Sequence, residues 1–178
     1  MSTPANSLRQ HPFPMVRSGG LFVLLVGLGI LAGAILGENH FIPPLIAGAS
    51  LAVIAQSVLR SRLVRPLGTP TRFQVMILIG AIVLEMILVT LVAYAFHFHQ
   101  SRSFWLWILL VVGIHFLIIA MAQEKLLVVL GVACVANAIL GLWLPQVPLV
   151  VFWFIDGLMK IVVGAWMLST LPAKEIPG

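Results

Sequence analysis

The chain has 178 residues, 61% hydrophobic and only 8% charged, with a mean hydropathy of +1.15, whereas ordinary soluble domains carry about 25% charged residues. This excludes a soluble globular protein and leaves no stretch for a second, soluble domain. The net charge of +5 does not point to nucleic acid, because the basic residues cluster beside hydrophobic runs, where they orient a membrane protein.

Residues 1–18 are polar, contain Pro4, Pro12 and Pro14, and are expected to form a flexible cytoplasmic tail. The segment 19–172 is expected to be one all-α bundle of six transmembrane helices, followed by a short cytoplasmic tail, 173–178. The first hydrophobic run, 21–36, is followed at once by Gly37; Gly29, Gly33 and Gly37 fall every four residues and predict a small-residue ridge against a neighbouring helix. Pro43 and Pro44 suit the start of a second helix, since first-turn amides have no internal acceptor. That helix is predicted to end near Leu59 and carries Gln56. The loop 60–72 holds Arg60, Arg62, Arg65 and Arg72, which mark it as cytoplasmic and as a binding place for anionic lipid headgroups.

A third helix, 73–96, carries Glu85 in its middle, and a fourth, 104–122, carries His115. After a tight turn at 123–125 the fifth runs to Leu144 with Asn137 near its centre. The sixth, 149–171, holds Asp156 and Lys160, four residues apart and therefore on one face. Six spans of about 17 to 24 residues match a hydrocarbon layer about 30 Å thick. With both termini inside, the cytoplasmic side holds Arg9, Arg17, Arg60, Arg62, Arg65, Arg72, Lys125 and Lys174, and the outer side only Arg102. That asymmetry sets the expected orientation, in a bacterial cytoplasmic membrane. Tyr94, Trp105, Trp107 and Trp143 then form an aromatic belt at the outer boundary.

Helix position places Gln56, Glu85, His115, Asn137 and Lys160 at a similar depth near the midplane, with Asp156 one turn outward. Ionisable groups at that depth are costly and mark pathways or sites. Asp156 has Lys160 beside it, whereas Glu85 has no cation in its own helix and is the acid expected to hold a proton. The sequence therefore predicts transport or permeation of a small polar or ionic solute, with Glu85 protonatable and the other polar groups lining the path. The alternative is a noncatalytic accessory, assembly or immunity protein whose polar layer only locks the helices. Nothing in the spacing of Ser and His predicts an enzyme. No cofactor is expected, and no metal: His97 and His99 are two apart and point to different sides of a helix, and the lone Cys134 has no partner for a cysteine-based site. Partners compatible with this reading are the bilayer, a second copy of the chain, or another membrane protein. Three helices in each half give the halves opposite topology, the pattern of inverted-repeat transporters.

Overall fold

The computed structural model describes residues 12–64 and 67–170, apart from the side chains of Asn39, Arg60 and Ser61. Within them the chain is helical throughout: α1 (Val16–Leu36), a 3-10 turn (Glu38–His40), α2 (Ile42–Leu63), α3 (Arg72–Ala95), α4 (Arg102–Ile119), α5 (Leu126–Trp143) and α6 (Leu149–Leu168). All six α-helices are long and apolar enough to cross a membrane. Their starts follow local chemistry. Pro43 and Pro44 occupy the first turn of α2. Thr71 and Gln74 form a reciprocal capping box at α3, and the Ser101 hydroxyl accepts from the Phe104 amide at α4.

Several boundaries differ from the sequence expectation. α1 begins at Val16, so residues 12–18 are not a tail. Val16 is fully buried, and Gln74 Nε2 donates to the Pro12 carbonyl at 2.8 Å, tying this segment to α3. α2 runs to Leu63, which puts Arg62 in its last turn, where a cation suits the helix C-terminus. α4 stops at Ile119, and the following turn buries Ala122 and Gln123. Arg9, Arg65, Lys174 and the side chain of Arg60 lie outside the described residues, as do residues 1–11 and 171–178.

Successive helices are neighbours around the bundle, α3 with α4, α4 with α5 and α5 with α6, and α6 closes back on α1, which holds α2. α2 and α3 have no comparable interface, and they are the two least buried helices. The arrangement is thus a ring in chain order with one open seam. In such a ring, moving three places on reverses each helix but keeps the sense of travel. A two-fold axis in the membrane plane reverses both, so the two halves are not an inverted repeat.

Glycines set the tightest crossings. Gly20 faces Gly164 and Gly27 faces Gly157 across the antiparallel α1–α6 pair; a Cβ on Gly27 would stand 2.9 Å from the Gly157 carbonyl and 2.8 Å from Lys160 Cβ. Gly29 meets Gly48 and the Pro44 carbonyl of α2, and Gly33 meets Phe41. Gly37 is no part of that ridge: among the described residues nothing stands within 4 Å of its Cβ position, and its φ of +88° ends α1 in a conformation that favours glycine. Arginines hold two helix C-termini. Arg17 Nε donates to the Thr170 carbonyl at 2.6 Å beyond α6, and Arg102 donates to the carbonyls of Gly141, Leu144 and Val147 after α5 while lying over the Phe152 ring. Arg102 is therefore a capping group as well as a loop charge.

Candidate functional site

A cavity of about 500 Å³ lies inside the ring, walled by α1, α2, α3, α4 and α6. Its size falls in the roughly 300–1,000 Å³ range of small-molecule sites. The α1 wall extends from Ser18 to Ile30, about 18 Å at ~1.5 Å per residue. The cavity is two-faced along this length. Toward the end carrying Arg17, Arg62, Arg72 and Lys125, called here the basic end, its walls include Ser18, Gln56 and Gln123, with Glu85, His115 and Lys160 midway. The far half is apolar and aromatic, lined by Phe41, Leu45, Trp105, Leu109 and Trp153.

Glu85 on α3 and His115 on α4 form the first acid–base pair. His115 Nδ1 lies 3.3 Å from Glu85 Oε2 and 3.2 Å from the Ala81 carbonyl oxygen. A carbonyl can only accept, so the contact with Ala81 is a hydrogen bond in the tautomer that carries its hydrogen on Nδ1. Glu85 is 26% exposed and His115 11%.

Lys160 and Asp156 form the second pair, and the fold encloses it. The close α1–α6 crossing at Gly27 and Gly157 presses backbone against the Lys160 stem, leaving that side chain 1% and Asp156 0% exposed. The ammonium donates to Asp156 Oδ2, approaches Cys134 Sγ at 3.9 Å and lies 5.4 Å from the Phe116 ring centroid. Two charges this deep must be paired, and the i,i+4 spacing supplies the pairing within one helix. Asp156 Oδ1, Gln123 Oε1 and Trp153 Nε1 are buried and have no hydrogen-bond partner among the described residues.

Of the six residues expected at the site, Glu85, His115, Lys160 and Gln56 line the cavity. Asp156 stands behind Lys160. Asn137 is not a lining group; its Nδ2 donates to the Phe152 carbonyl at 2.9 Å and joins α5 to α6. Gln56 also bridges helices, donating from Nε2 to the Ser18 carbonyl at 2.8 Å. Among the described residues no three His, Cys, Asp or Glu side chains form a cluster able to hold a metal ion.

Residues 6–176 match the model of DUF6609, described as a family of unknown function. The chain belongs to that family. No curated protein and no solved structure matches it. In this DUF6609 chain, sequence reading missed three site residues. Cys134 shares an α5 face with Asn137, three residues on, and that spacing was the available signal for its approach to Lys160. Gln123, read only as part of a tight turn, is 6% exposed and lines the cavity. Trp153 lies in an apolar run without a pattern to single it out; it stacks on Phe41 with ring centroids 3.6 Å apart and meets Trp105 edge-on at 5.7 Å.

Proposed function

We propose that this protein moves a small solute across a bacterial cytoplasmic membrane through the central cavity, with Glu85 and His115 as the proton-bearing pair and Lys160, held by Asp156, as a fixed charge. The observation that carries the reading is that one cavity, walled by five helices, reaches Glu85, His115 and Lys160 on three of them. Asn137, which joins α5 to α6, lies outside the cavity, whereas Glu85, His115 and Lys160 line it. The charge asymmetry supports an orientation with both termini cytoplasmic, and the exposed Arg62 and Arg72 at that end are available to anionic headgroups.

Glu85 and His115 can exchange a proton with solute or water in the cavity, which is the chemistry a proton-coupled carrier requires. Vesicles holding the purified protein and a trapped pH-sensitive dye test this. Potassium, tetramethylammonium, glycine and other small polar solutes are added in turn, with protein-free vesicles as the baseline. At least one solute should change the internal pH with wild type and not with Glu85→Gln. A wild type indistinguishable from protein-free vesicles for the whole panel overturns the proposal.

A further inference from the structure

The cavity's walls and its opening together say what shape and charge of molecule fits it. Val53 of α2 and Ile82 of α3 both line it, yet they are 56% and 46% exposed. They belong to the two helices that flank the open seam. With α2 and α3 crossing a membrane, a wall of such half-exposed apolar side chains opens toward hydrocarbon. The polar groups of the lining lie in the basic half and midway, among apolar neighbours such as Phe22, Leu78 and Phe116, and the far half is apolar and aromatic, a gradient that a single-tailed amphiphile matches.

The sign of the headgroup follows from what the lining groups still offer. Lys160 is enclosed and neutralised by Asp156, so it is a poor partner for an anion. Glu85 is the more accessible charge of the cavity wall. A carboxylate calls for donors, and His115 approaches only one of its two oxygens. Trp105 on the apolar half is ten residues along α4 from His115, about 15 Å at ~1.5 Å per residue. An elongated apolar body reaches from one to the other.

Resting on the transport reading above, we infer that the solute is a primary ammonium amphiphile, taken up sideways through the α2–α3 seam, with its head at Glu85 and its apolar body against Phe41, Trp105 and Trp153. Proton and ammonium then compete for one carboxylate. The charged groups facing Glu85 are His115 from α4 and Lys160 from α6, the latter held by Asp156. Below the range where an alkylamine loses its own proton, affinity rises with pH as Glu85 gives up its proton.

The test is equilibrium dialysis of radiolabelled decylamine against the full chain in lipid nanodiscs, with protein-free discs subtracted. Saturable binding is expected, at least tenfold tighter at pH 8 than at pH 5 and at least tenfold weaker in Glu85→Gln. Decyl sulfate and decanol, with the same tail, should bind at least tenfold more weakly than decylamine. Equal binding of decyl sulfate, or a wild type indifferent to pH, overturns the inference even if Glu85→Gln fails to fold. Val53→Trp with Ile82→Trp narrows the seam at two exposed positions and should slow uptake at least fivefold; an unchanged rate overturns the sideways route. If decylamine does not bind but a small water-soluble solute shows Glu85-dependent flux, the amphiphile inference falls and the transport reading stands. Tight, Glu85-dependent decylamine binding without any flux supports the site and overturns transport.

Discussion

Lys160 and Glu85 are both charged residues in mid-helix, yet their surroundings give them different tasks. Lys160 is enclosed by the α1–α6 crossing and holds the charge of Asp156, whose other oxygen already lacks a partner among the described residues. Lys160→Met leaves Asp156 uncompensated, and removing one member of a buried pair costs roughly 3–5 kcal/mol. Glu85→Gln keeps the volume and an oxygen that can accept from His115 Nδ1–H, so its cost should stay within about 1 kcal/mol, the net worth of an ordinary hydrogen bond. Thermal unfolding in detergent should therefore separate the two variants clearly. If Glu85→Gln melts as low as Lys160→Met, Glu85 is an ionised structural partner and cannot be the proton carrier. The sequence made the Asp156–Lys160 pair legible because four residues along a helix is a local relation. It placed Glu85 and His115 at one depth without showing that they meet, since depth does not fix the rotation of a helix about its axis. Rotation is also what turns Asn137 toward α6 and away from the cavity.

At the scale of helices, α1 is the organising element, and its glycines serve two faces. Gly20 and Gly27 admit α6, whereas Gly29 and Gly33 admit α2 and Phe41. Spacing by four revealed the second face. The first repeats by seven, as do Gly157 and Gly164 on α6, and a search by fours passes over it. The two sevens run antiparallel, so each glycine finds another opposite. Gly27→Leu drives a side chain into the Gly157 carbonyl and the stem of Lys160, and overpacking of this kind costs roughly 1–3 kcal/mol or more. Gly80 on α3 has no described residue within 4 Å of its Cβ position. The same substitution there, Gly80→Leu, should leave the melting temperature in detergent unchanged or slightly raised, because the side chain meets open space and glycine is a poor helix former. Equal losses from both substitutions would mean that α1 and α6 are not in close contact.

At the scale of the whole molecule, helix number, length and order were legible because each span is a long apolar run that must meet its own backbone hydrogen bonds. The open seam was not, because apolar faces turned toward lipid and toward protein have the same composition. Orientation rests on charge alone, and it can be tested directly. The α2–α3 loop and the α3–α4 loop lie at opposite ends of α3, a helix of 24 residues, about 36 Å at ~1.5 Å per residue. Thr69 in the first loop and Gln100 in the second are both exposed, and Gln100 is preferable to its neighbour Ser101, whose hydroxyl caps α4. Cys134 is fully buried, so an impermeant maleimide should leave the wild type unlabelled. Gln100→Cys should react from outside intact cells, and Thr69→Cys only after the membrane is opened. The reverse pattern would place the basic loops outside and overturn the charge argument while keeping six spans. Labelling of both from one side would mean that α3 does not cross the membrane, and with it would go a Glu85 at the midplane.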